Sequence, residues 1–77
     1  MMPAPGSFAV DGRDGRVGVV VGVVVGLAVG HEEAFVQLRP PGGGVLWVCP
    51  RHALRAAPPS AVLAARVREL NWQSRMP

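Results

Sequence analysis

Lysine, isoleucine, tyrosine and threonine are absent from these 77 residues, and cysteine occurs once, as Cys49. A single cysteine excludes an internal disulfide and points to a reducing compartment, so the expected location is cytoplasmic. With lysine gone, all eight basic side chains other than histidine are arginines. The chain draws mostly on Ala, Gly, Pro, Val and Arg, the residues of a gene with very high G+C content. Its pI of about 11.2 therefore says less about partners than its net charge, which is only +3.

Catalytic signatures are missing as well. Cys49-Pro50-Arg51-His52 holds a lone Cys-x-x-His pair, whereas a structural zinc site needs four ligands and a catalytic one at least three from protein. Cysteine nucleophile chemistry with His52 lacks a third orienting group. Glu32-Glu33 is the only carboxylate pair, and it reads as a solvated loop after the apolar run. The Gly42-Gly43-Gly44 segment lacks the Gly-Lys-Ser/Thr ending of a phosphate-binding loop. No cofactor, metal or catalytic residue is assigned, and the expectation is a protein that is not an enzyme.

What the chain does contain is a long aliphatic run, residues 17–30, with glycine at every fourth position: Gly18, Gly22, Gly26 and Gly30. As a helix it would carry those glycines on one ridge, the small-xxx-small pattern of packed membrane helices. It would then span roughly 21 Å against a hydrocarbon core of about 30 Å. Arg13, Asp14 and Arg16 on one side and His31, Glu32 and Glu33 on the other prevent its extension. As a secretory signal, residues 17–29 would form the apolar region, with cleavage after Gly30. The segment before it has no net charge where a positive one belongs. As sheet, the β-branched valines are favoured and the glycines punctuate. Fully extended, the run would reach roughly 46 Å at about 3.3 Å per residue, so it is expected to bend or to split into two strands near Gly22 or Gly26.

The rest divides readily. Residues 1–15 read as a flexible N-terminal arm, although Phe8-Ala9-Val10 has the composition of a short strand or an apolar plug. Residues 16–57 read as a small antiparallel β module. Its clearest part is a hairpin of residues 34–39 and 45–49 around Pro40-Pro41-Gly42-Gly43-Gly44, with Pro41 and Gly42 at the central turn positions. Pro50 suits the start of one short helical turn over residues 51–55. Residues 58–77 hold a C-terminal helix, expected over residues 61–73 with Ser60 as its cap. Leu63, Val67 and Leu70 make a stripe expected to dock on the sheet.

From Arg16 onward the chain resembles a group of short uncharacterised proteins from high-G+C actinobacteria. The resemblance rests on Arg16-Val17-Gly18-Val19-Val20, on Val36-Gln37-Leu38-Arg39-Pro40-Pro41-Gly42-Gly43-Gly44 with Trp47, and on Ala65-Arg66-Val67-x-Glu69-x-Asn71-x-x-Ser74-Arg75. It implies a small curved antiparallel sheet or SH3-like barrel followed by one C-terminal helix, a mainly β α+β fold. It brings no activity, and the valine run is longer here by about one strand.

Charge is unevenly placed: residues 1–49 carry a net −1 and residues 50–77 a net +4. The expected function is a non-enzymatic binding or regulatory protein that docks on a protein or nucleic-acid partner. The candidate contact residues are Arg39, Trp47, Arg51, Arg55, Arg66, Arg68 and Arg75. Arg66 and Arg68 project roughly 160° apart at 100° per residue, which argues against a helix that reads a DNA groove. The alternative is a small membrane-associated or exported peptide that uses residues 17–30 as its apolar segment. A valine-rich strand edge also makes a homo-oligomer an expectation.

Overall fold

The structure is a computed structural model that describes residues 4–74. Five strands make one antiparallel sheet: β1 (Phe8–Asp11), β2 (Val17–Ala28), β3 (His31–Arg39), β4 (Trp47–Pro50) and β5 (Leu54–Ala56). Helix α1 (Pro59–Ser74) follows, and a 3₁₀ turn, Arg51–Ala53, joins β4 to β5. The spatial order is β4-β3-β2-β1-β5, so the sheet is open, with β4 and β5 as its edges. The expected mainly β architecture is present as an open sheet and not as a closed barrel.

The valine run does not split: β2 is one strand of 12 residues. It bends where its register against β3 shifts between Val20 and Gly22, leaving Val21 as a bulge. Residues 17–30 therefore make no glycine-zipper helix. No helix among the described residues is long and apolar enough to cross a membrane. At the end of β2 the chain reverses through Val29 and Gly30, with φ of 52° and 80°. Two successive positive φ values are the signature of a two-residue type I′ hairpin turn. As a result β3 begins at His31, and residues 31–33 are strand where a loop was expected. Glu32 and Glu33 consequently point to opposite faces.

The glycine spacing has a local explanation. A side chain at Gly18 would sit 2.9 Å from both Leu38 Cβ and the Trp47 ring, and one at Gly26 would sit 3.1 Å from the Phe35 ring. Both glycines are seats for aromatics, Phe35 from the adjacent β3 and Trp47 from β4 one strand further.

Three further expectations are corrected. Residues 8–11 do not belong to the arm: Phe8-Ala9-Val10 is the short strand its composition allowed, an inner one with Ala9 and Asp11 both buried. The segment after Pro50 makes only the short 3₁₀ turn, and Leu54–Ala56 then pairs with β1 as an edge strand. The hairpin's returning strand starts at Trp47 and not at residue 45, with Val45 and Leu46 exposed in the connection. The turn itself is as expected. Gly42 has φ of 84° behind Pro41, and the Gly43 amide donates to the Pro40 carbonyl at 3.0 Å.

The main core cluster lies on one face of the sheet, while Val19 is buried on the other. Ala9, Val20, Val36, Leu38, Cys49 and Ala53 pack together, flanked by Trp47 and Leu54. Full burial of residues the size of Val36 and Leu38 contributes about 1.5–3 kcal/mol each.

Helix α1 buries one apolar and one charged residue. It starts at Pro59, whose missing N–H is harmless in the first turn, so Ser60 lies inside the helix and does not cap it. Its buried residues are Ala65 and Glu69, whereas Leu63, Val67 and Leu70 are exposed. The expected docking stripe thus faces away from the sheet. The reason is an ion pair across 30 residues of sequence. The Arg39 guanidinium on β3 donates to both carboxylate oxygens of Glu69, at 2.7 Å to Oε1. Glu69 also accepts from the Gly42 amide at 3.3 Å, and the Arg39 guanidinium lies 4.8 Å from the centre of the Trp72 ring. That clasp fixes the helix rotation and leaves the apolar stripe outward.

Candidate binding groove

Asp11 is the pivot of the site. Its carboxylate is fully buried at the end of β1, where it accepts from Trp47 Nε1 at 3.0 Å. It also accepts from the Arg13 amide and Nε at 3.0 Å and from Arg13 Nη2 at 2.8 Å. Hydrogen bonds from the Arg13 guanidinium, with those of the Arg13 amide and the Trp47 indole, hold the Asp11 carboxyl well below the usual carboxylate range against the opposing effect of burial. Arg13 Nη2 continues to the Val48 carbonyl at 2.8 Å, tying the loop after β1 to β4. The indole orientation is fixed by this network.

With Trp47 held by its nitrogen, its ring lies over Gly18 and lines a half-open groove of about 400 Å³. Val17, Pro40 and Pro41 add apolar wall, and Arg16 and Arg68 flank it. The Arg16 guanidinium stacks 4.2 Å from the Trp47 ring centre and pairs with Asp14 at 2.6 Å. Arg68 comes from α1, against the backbone of Gly42, and among the described residues it makes no ion pair. The groove volume lies in the range of about 300–1,000 Å³ typical of small-ligand sites.

The candidate residues from sequence scatter accordingly. Trp47 and Arg68 meet at the groove. Arg39 does not line it and is committed to Glu69. Arg51 and Arg55 are exposed around the 3₁₀ turn, with Arg55 Nη1 donating to the His52 and Leu54 carbonyls. Arg66 is exposed on α1 and does not line the groove, and Arg75 lies outside the described residues. Arg16 and Asp11 were missed. Arg16 follows an Asp-Gly turn at the foot of the valine run, and nothing local marks it as the neighbour of a tryptophan 31 residues away.

Cys49 and His52 face different surroundings. Cys49 is buried in the core, and burial, reinforced by the nearby Asp11 charge, pushes its thiol up to about 11. His52 Nδ1 lies 2.9 Å from Glu33 Oε1 on an exposed surface. Among the described residues no three His, Cys, Asp or Glu side chains gather as metal ligands.

No protein-family model, curated protein or solved structure matches this chain.

Proposed function

We propose that the protein is a non-enzymatic binding module of SH3-like design whose groove takes an acidic, extended segment of a partner protein. The observation that carries this reading is the groove itself: a tryptophan ring and two prolines between two arginines. Prolines and an aromatic floor suit an extended chain, which packs on flat apolar walls without offering secondary structure of its own. Arg16 and Arg68 suit carboxylates, since guanidinium–carboxylate pairs are strong and directional. A nucleic-acid partner is less well served. Arg51, Arg55 and Arg66 lie elsewhere, so no continuous basic track accompanies the ring.

The test is titration of the full chain with a short glutamate- and proline-rich peptide, read by tryptophan fluorescence, beside an equal series with oligo-dT. Saturable peptide binding, weakened about tenfold or more by joint Arg16→Ala and Arg68→Ala replacement (~1.4 kcal/mol), is the expected result. Preference for oligo-dT, or peptide binding indifferent to both arginines, overturns it.

A further inference from the structure

Beyond the groove, the outer half of the β2–β3 hairpin stands clear of the rest of the sheet. β1 pairs with β2 only over residues 17–19, extended by main-chain bonds from Gly6 and Ser7 to Val20. β4 pairs with β3 only over residues 35–38. Residues 25–28 and 31–34 therefore form a two-stranded ribbon with two unpaired edges among the described residues, and the free β2 edge continues back through Val23. An isolated ribbon of this kind is marginal in water.

The two edges differ. The β3 edge carries Glu32 and Glu33, and His52 from the 3₁₀ turn sits against Glu33 at its base. Charge of that kind is how natural sheets block edge pairing. The β2 edge carries no charge at all from residue 17 to residue 30. Its exposed side chains are aliphatic, with Val25 at 68% and Leu27 at 79% exposure.

The backbone of that edge has a definite polarity. Residues flanking a two-residue hairpin turn, here Ala28 and His31, bond to each other, and bonding then alternates along an antiparallel ladder. Gly26 and Val24 consequently aim their main-chain groups at β3, while Leu27, Val25 and Val23 aim theirs at the free edge. The same alternation, followed down to the bulge, agrees with Val20 bonding outward to Ser7.

We infer that this edge is completed by a second copy of the chain, two β2 strands pairing antiparallel about a twofold axis through Val25. In that register Val25 faces the partner's Val25, and Val23 faces the partner's Leu27. All the outward N–H and C=O groups of the three residues find partners, and Val23, Val25 and Leu27 of both copies line one continuous apolar face. No like charges are brought together. The corresponding pairing of two β3 edges would place the glutamates of both copies side by side.

Sedimentation of the full chain at micromolar concentration tests this directly. The expected result is a species of twice the 8.1 kDa chain mass. Val25→Lys and Val25→Glu should each sediment as monomers, because each puts like charges on the axis, and their equimolar mixture should recover the dimer. A monomeric wild type, a larger assembly, or a dimer indifferent to Val25→Lys overturns the proposal. Amide exchange of the wild type supplies the check that needs no variant. The N–H groups of Val23, Val25 and Leu27 should be protected in the dimer and exchange freely on dilution. Free exchange at every concentration refutes the pairing.

Discussion

Val20 and Val25 stand on the same strand five residues apart, one 2% exposed and the other 68%. Neither the residue type nor the secondary structure differs. What differs is that β1, β4 and the 3₁₀ turn reach the first and not the second. The base of the sheet is a packed core with a fully satisfied polar network around Asp11. The ribbon beyond it keeps the same composition with nothing to bury against. In a chain so rich in valine, hydrophobicity does not locate the core; the reach of the neighbouring strands does.

The largest expected effect separates the two regions most sharply. Leu38→Ala, at a fully buried site, should cost about 2–5 kcal/mol, close to the whole stability of a small domain. Leu27→Ala, on the ribbon, should stay within about 0.5 kcal/mol for the monomer. Urea denaturation of both at low protein concentration checks the pair. Equal losses would mean that the ribbon is packed as the base is.

Acid probes the base alone. Asp11 is held below its unfolded pKa chiefly by Arg13, and Glu69 below its own chiefly by Arg39. The unfolded chain therefore binds more protons in acid. Their stabilisation is complete above about pH 5, where unfolded carboxylates are ionised, and is lost as pH falls toward the lower folded values. Asp11→Asn should cost about 1–3 kcal/mol at neutral pH, through a buried network left with a mismatched partner. It should also flatten the acid limb of a stability–pH curve measured by denaturant titration. An unchanged acid limb would remove Asp11 from the account.

The smallest effect belongs to the ribbon tip. Val29 holds φ of 52° while 98% exposed, a conformation that is costly for a β-branched side chain and readily adopted by asparagine. Val29→Asn should raise the melting temperature modestly, by an amount equivalent to about 1 kcal/mol or less. Amide exchange near the tip should slow more than exchange in the base. A decrease in stability would contradict the turn geometry.

Much of the scaffold was legible. The β-branched run between charged flanks reads as sheet, Pro41-Gly42 reads as a turn with positive φ, and the C-terminal helix is legible apart from its start, which lies at Pro59 and not after a Ser60 cap. Of the short strands, β1 was legible only as one alternative for residues 8–10 and β5 was not, because four and three residues are too few to show a period. The bulge at Val21 was hidden for a different reason: in a run apolar on both faces, a slip of one residue changes nothing in the pattern. At the groove, Trp47 and Arg68 stood among the candidate contact residues, but Arg16 did not, since only folding brings it over the indole ring.

For the long segments, the valine run, the Pro-Gly turn and the C-terminal helix, the backbone type was set locally, because β-branching, proline and glycine act on local torsions. The sequence's absences likewise left no internal disulfide and no recognisable catalytic constellation. Tertiary structure decided which valines are core, which face of α1 is buried, and that Asp11 is the carboxylate orienting Trp47. Those outcomes depend on groups about 30 or more residues apart, Arg39 with Glu69 and Asp11 with Trp47. Burial and hydrogen bonding are properties of neighbours in space, which no local pattern encodes.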